Sequence, residues 1–410
     1  MFIALLAFLV APVPHGPTVR PHPVYALVLT RHGVRAPVQF NAELNRYSRQ
    51  PWPDFGVLPA DLTEHGRTLM VLYGTYYRAF FAKLGLTDAH GCAASAHTWF
   101  WADTDERTVE TGKALTDGMY PGCKLVVGRV AVKPDPLIRP VEAGLGTVDS
   151  ARALASVRSL IPGNLAQYAS RFQTSIERLR AVLGVPAAPW MSAPTVIKAG
   201  SMGMAQVDGP IRTGGSLAEA LELEYTDGMS GAKLGWGRLD RRTLEAILPL
   251  HIAYARLMLA APYEARERGS NLLVHIQRSL EQAARHQAVD GALGHPDDTL
   301  AFVVGHDTNI TSVAVPLGLH WKLPGYAEDD TPPGSAIIFE LWQEAAGNYT
   351  VHIAYTSQSL DQMHDGTPLT LTAPPLNVGV TMAGCSPCTL EKFSKAVGAA
   401  TDSHFVRDGR

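Results

Sequence analysis

The sequence predicts an α/β protein: a largely parallel central sheet flanked by helices, with an inserted, mainly helical domain. Three observations carry that expectation. First, apolar, β-rich runs end abruptly in charged residues at three places: Val24 to Thr30 before Arg31-His32-Gly33, Thr98 to Ala102 before Asp103, and Leu300 to Val304 before Gly305-His306-Asp307. Such runs read as strands buried on both faces. Second, helical patterning alternates with them: Thr63 to Leu84 has apolar residues at helical spacing, and Asp105 to Leu115 follows an Asp103 or Thr104 cap. Strand-helix alternation argues for a parallel sheet. Third, the pattern changes between Pro140 and Met258 to helical segments and Gly-rich turns, including Leu154 to Leu160, Ser175 to Val185 and Ser216 to Tyr225.

The expected layout is therefore a leader over 1–23, an α/β domain in two parts over 24–139 and 259–410, and a helical insert over 140–258. Ser335 to Trp342 and Tyr349 to Ser357 flank Gly347-Asn348 and predict an antiparallel hairpin at the sheet edge.

With 410 residues, 46% hydrophobic and 18% charged, the chain can bury an ample core. Lys plus Arg total 35 against 38 Asp plus Glu, a formal net charge of -3 that gives no basic field for nucleic acid. Anion recognition must be local. Phe2 to Val13 is apolar, too short to cross a bilayer as a helix, and is followed by the Pro- and His-rich stretch Pro14 to Pro23. It reads as a signal-peptide core, although the usual preceding basic residues are missing. No later stretch resembles a span, so no membrane insertion is expected. Cys92, Cys123, Cys385 and Cys388 allow three pairings, of which chain order favours Cys92 with Cys123 and Cys385 with Cys388. The rival reading of Cys385-Ser386-Pro387-Cys388 as a redox or zinc site has no second pair of the same spacing to support it. Export and disulfides together predict a periplasmic or secreted protein.

In an open α/β sheet, ligands bind beyond the carboxyl ends of the strands, so the three charged tips can form one site. In Arg31-His32-Gly33-Val34-Arg35-Ala36-Pro37 an imidazole stands between two guanidiniums just after a strand. Arginine offers planar, permanently charged donors that match phosphate oxygens, Gly33 permits close backbone approach, and Pro37 stiffens the exit. A neutral imidazole is a competent nucleophile toward phosphorus. His65, His97, His251 and His275 show no metal-ligand spacing, and neither metal nor cofactor is expected. Trp99-Phe100-Trp101 reads as core and strand flank.

This septet resembles the signature of the histidine acid phosphatase branch of the histidine phosphatase superfamily. Gly305-His306-Asp307-Thr308-Asn309 is similar to that family's second signature, and Asp103-Thr104-Asp105-Glu106-Arg107-Thr108 to the segment carrying its third phosphate-binding arginine. Further likeness runs through Leu62-Thr63-Glu64, Gly235-Trp236-Gly237-Arg238, His251, Leu319 to Pro324 and Thr331-Pro332-Pro333-Gly334. The resemblance implies His32 as nucleophile, Asp307 as proton donor, Arg31, Arg35, Arg107 and His306 on the phosphoryl oxygens, and Asp103 as a support or substrate contact.

Within the family the likeness is to periplasmic phytases and acid phosphatases of the enteric type. It implies that Glu219 and Arg268 line an outer substrate pocket. The expected substrate is a small phosphate monoester, phytate included, and the expected state a monomer or weak homo-oligomer. Glucose-1-phosphatase or broad acid phosphatase activity is the alternative, with a phosphoglycerate-mutase-like isomerase further off. After Pro37 the enteric phytases have Thr then Lys; this chain has Val38 then Gln39, losing a hydroxyl and a cation.

Overall fold

The computed structural model describes residues 20–408, so the apolar start assigned above to an export signal lies outside the described residues. The strands are β1 (His22–Arg31), β2 (Thr98–Ala102), β3 (Val127–Gly128), β4 (Val196–Ala199), β5 (Ala205–Asp208), β6 (Leu300–Gly305), β7 (Ala336–Gln343), β8 (Tyr349–Ser357) and β9 (Leu376–Val380). Seven of them form one sheet in the order β3-β2-β6-β1-β7-β8-β9, while β4 and β5 pair separately. β3, β2, β6 and β1 are parallel, and β7 to β9 add on in antiparallel fashion.

The unbroken apolar runs have a direct cause in the pleat. Ala26, Val28, Leu300, Phe302 and Val304 enter the core on one face of the sheet, and Leu27, Leu29, Ala301 and Val303 enter the core on the other. Both faces are covered, so no polar alternation is needed. Each fully buried Val, Leu or Phe contributes roughly 1.5–3 kcal/mol relative to exposure.

Two expectations about the sheet change. The β7–β8 hairpin forms, but it is not the edge: β7 lies against β1, and β9 extends the sheet beyond β8. The Leu-Asn-Val-Gly-Val of β9 is too short and too exposed to announce a strand. β1 also starts earlier than its apolar run, because His22 and Pro23 pair with Gln343 and Trp342 before a register shift.

Helices α1 (Asn41–Leu44), α2 (Glu64–Lys83) and α3 (Glu106–Met119) lie between the first strands. Thr63 caps α2, its side chain accepting from the Gly66 N–H. A Cβ on Gly66 would stand 2.1 Å from the Val34 carbonyl oxygen, so only glycine lets α2 press against the loop after β1. Gly33 serves the same contact, since its Cβ would meet the Met70 side chain at 2.8 Å. The close approach that Gly33 permits is therefore to α2. The N-cap of α3 is Asp105, not Asp103 or Thr104.

Between residues 140 and 258 stand α4 (Ser150–Ser159), α5 (Leu165–Ser170), α6 (Gln173–Leu183), α7 (Pro189–Ser192), the β4–β5 hairpin, α8 (Pro210–Thr226) and α9 (Arg241–Leu259). Leu217, Leu221 and Leu244 share a core with Leu27 and Phe339 of the sheet. α10 (Pro262–Arg285), α11 (Asp307–Ala314), α12 (Leu360–His364) and α13 (Leu390–Ala400) complete the chain. Cys92 is bonded to Cys123, and Cys385 to Cys388. Among the described residues no single helix is long and apolar enough to cross a membrane.

Candidate active site

Strand register builds the site. Arg31 pairs with Gly305, while Thr30 and Ala102 both pair with Val304. The next residues continue the ladder: the His32 N–H donates to the Gly305 carbonyl at 2.9 Å and the Asp103 N–H to the Val304 carbonyl at 3.0 Å. Parallel pairing thus brings three strand ends to one level. A cavity of about 200 Å³ opens there, lined by His32, Arg35, Arg107, Arg268, His306 and Asp307, and by the Ile138–Glu142 turn.

His32 is buried, and its Nδ1 lies 2.8 Å from the Gly33 carbonyl oxygen. A carbonyl only accepts, so Nδ1 carries the hydrogen and Nε2 keeps its lone pair. Burial first, then the charges of Arg31, Arg107 and Arg35, hold the imidazole well below its usual titration range. It stays neutral in mild acid.

Arg31 and Arg35 converge on one carboxylate. Glu219 Oε1 accepts from Arg35 Nη2 at 2.7 Å and from Arg31 Nη2 at 3.4 Å. Glu219 therefore braces the two guanidiniums of the septet, and it is not among the residues that line the cavity. Arg31 also donates to the Thr331 carbonyl at 2.6 Å, which ties the Thr-Pro-Pro-Gly segment to the site. Arg268, on α10, does line the cavity and donates to the Met258 carbonyl at 2.8 Å.

Asp103 is fully buried behind His306 and is not among the residues that line the cavity. Its Oδ2 lies 2.7 Å from His306 Nε2 and accepts from Arg139 Nε at 2.7 Å. Burial works against its charge, yet the His306 and Arg139 bonds keep it far below the usual carboxylate range. Asp105 accepts from Arg107 Nη2 at 2.7 Å and closely from Arg139 Nη2. Ligand atoms of Asp103, Asp105 and His306 lie within 4.8 Å of one another, as a metal site would require. The two arginines already occupy them.

Asp307 opens α11, and its Oδ1 accepts from the Thr308 N–H at 2.7 Å while Oδ2 lies 3.4 Å from Arg31 Nη2. Desolvation opposes its charge, but Arg31, His306 and the Thr308 N–H prevail and bring its pKa down to about 2. The residues matching the two motifs are thus together, joined by Arg107 from the third strand tip.

A model of the histidine phosphatase superfamily (branch 2) matches residues 25–356. The chain belongs to this family. Phytase AppA of Escherichia coli strain K12 is 31% identical over 98% of both chains. Glucose-1-phosphatase of Salmonella typhimurium is 26% identical over 91% of both. The solved structure of Hafnia alvei phytase in complex with myo-inositol hexakis sulphate superposes with a TM-score of 0.85 at 30% identity, covering 96% of this chain and 100% of that one.

As a branch 2 histidine phosphatase, the protein is a phosphoric monoester hydrolase, and its site has the matching electrostatics: a neutral imidazole at the centre of several guanidiniums. Sequence reasoning missed Arg139 and Glu142, and it gave no role to Asp105 and Thr331, although both stand in segments named above. Arg139 follows Pro134-Asp135-Pro136 in a stretch with no motif of its own. Val38 is half exposed, and Gln39 lines a separate cavity of about 450 Å³ with Arg46, Arg212 and Ser216. The residues that depart from the enteric pattern therefore stand apart from the His32 cavity.

Proposed function

We propose that this enzyme hydrolyses phosphate monoesters by in-line attack of His32 Nε2 on phosphorus, with Asp307 as the proton donor. The His32 Nδ1–Gly33 bond carries this reading, because it leaves Nε2 as the nucleophilic atom among fixed guanidiniums. The Nε2–P bond forms as the ester P–O bond breaks, while Arg31, Arg35, Arg107 and His306 hold the nonbridging oxygens. Asp307 gives its proton to the departing alkoxide. Water then attacks phosphorus, Asp307 takes up its proton, and phosphate leaves with His32 restored.

Asp307 is ionised in the empty site, so its proton must arrive with the substrate. Below the second phosphate pKa of roughly 6, a monoester enters as a monoanion and brings one. Activity is accordingly highest in acid and falls as pH rises through that range, while His32 remains neutral on the acid side.

We infer that myo-inositol hexakisphosphate is among the substrates. The two phytases reported above, and Arg268 on the cavity wall, support this. Glu142 on the same wall favours a second reading, a small monoester such as glucose 1-phosphate, because a carboxylate there repels further phosphates. The two disulfides support work in an oxidising compartment outside the cytoplasm, the periplasm or beyond.

The test is release of free phosphate from phytate, glucose 1-phosphate and nitrophenyl phosphate across pH, beside His32→Ala. Phosphate release that peaks in acid and vanishes in the variant supports the proposal. Product that retains its phosphate points to a mutase, and full activity in His32→Ala refutes the proposal.

A further inference from the structure

Arg139 is held at the cavity wall by a turn built for rigidity. Asp135, 1% exposed, accepts from the Trp101 Nε1–H at 2.7 Å and the Leu137 N–H at 2.9 Å, and its carbonyl accepts from the Arg139 N–H at 2.7 Å. Asn271 and Asn309 each donate to carbonyls of the same turn, at Pro136 and Ile138, both at 2.8 Å. A surface arginine needs no such platform. Its guanidinium meets two carboxylates and an imidazole: Nε donates to Asp103, Nη2 closely to Asp105, and Nη2 lies 2.9 Å from His306 Nε2.

We propose that Arg139 is a positioning residue for phosphoryl transfer, acting on His306 through Asp103 and on Arg107 through Asp105. The proposal rests on the reading of His32 given above. The fully buried Asp103 has its Oδ1 taken by the Thr104 N–H at 2.7 Å, so Arg139 supplies the last donor that fixes the carboxylate behind His306. Asp105 Oδ2 is shared by two guanidiniums and restrains each less than it would restrain one alone. Arg107 is thereby left with donor capacity for the phosphoryl oxygens.

Loss of Arg139 gives Arg107 wholly to Asp105 and removes a cation beside His306. The groups that then face His306 are Asp103 at the β2 end, Asp105 and Arg107 at the α3 start, His32 at the β1 end with its ring centroid 5.5 Å away, and the neighbouring Asp307. With Asp103 less neutralised, His306 holds a proton to higher pH.

The test compares wild type, Arg139→Ala and Arg139→Lys on nitrophenyl phosphate. Arg139→Ala is expected to lose about 10- to 100-fold in kcat/KM, the scale of hydrogen bonds to charged groups. The His306 imidazole of Arg139→Ala titrates at higher pH than that of wild type when followed by NMR, and added guanidinium ion restores activity several-fold. Arg139→Lys keeps the charge without the fork and remains about tenfold impaired. If Arg139→Ala fails to fold, the lysine variant alone decides. Activity of either variant within twofold of wild type overturns the proposal, as does a loss with an unmoved His306 titration and no response to guanidinium. An active His32→Ala control instead overturns the underlying reading.

Discussion

At Asp307 geometry and charge pull in opposite directions. It lines the cavity beside His32, where a proton donor is needed, yet Arg31 holds it near pH 2 in the empty enzyme. A bound phosphoryl group reverses this balance by setting negative charge against the same guanidiniums. Asp307→Asn should therefore lower kcat on alkyl phosphates by about 10²- to 10⁴-fold and on nitrophenyl phosphate far less, since that leaving group needs little protonation. Steady-state kinetics on both esters checks this, and equal losses would exclude Asp307 as the acid. His32, Asp307 and their motif arginines were legible in the sequence because each stands within a few positions of a strand end. Arg139 was not, because its partner His306 lies 167 positions away and only folding joins them.

Helix α8 shows what a linear reading misses at the scale of an element. Its glutamates Glu219 and Glu224 have different surroundings, which the sequence does not distinguish. Glu219 is braced by two arginines, whereas Glu224 is fully buried, with Oε2 accepting from the Gly235 N–H at 2.8 Å and Oε1 without a partner. Burial raises the Glu224 pKa from 4.5 to about 8, so the folded state holds a proton that the unfolded chain releases. Its contribution to stability is complete below 4.5 and is lost as pH rises through about 8. Thermal unfolding of the wild type should therefore shift to lower temperature between about pH 5 and pH 8. Glu224→Gln, neutral at every pH and still able to accept from Gly235, should flatten that decline. Parallel curves for the two proteins would contradict a protonated Glu224. Burial of a helix's polar side depends on what the rest of the chain lays against it, and spacing alone carries no record of that.

Across the whole molecule, three of the four parallel strands, β1, β2 and β6, and the helices α2 and α3 were readable because apolar runs buried on both faces and helical spacing are strong local signals; the two-residue β3 was not. β9 and the true sheet edge were not, since a short, half-exposed strand differs little from a loop in composition. The shift of the α3 cap by one or two residues, from Thr104 or Asp103 to Asp105, matters more than its size suggests. It frees Asp103 to turn inward and support His306. Register then does what no single motif can, setting the ends of β1, β2 and β6 level so that His32 stands among groups from all three. The central claim is that the phosphoryl group passes through His32. It is tested most directly by quenching the enzyme in alkaline denaturant during turnover of nitrophenyl phosphate and locating bound phosphate by peptide mass spectrometry. The account predicts phosphate on the peptide bearing His32 and none in His32→Ala; rapid turnover with that peptide unmodified, or phosphate on another residue, would contradict it.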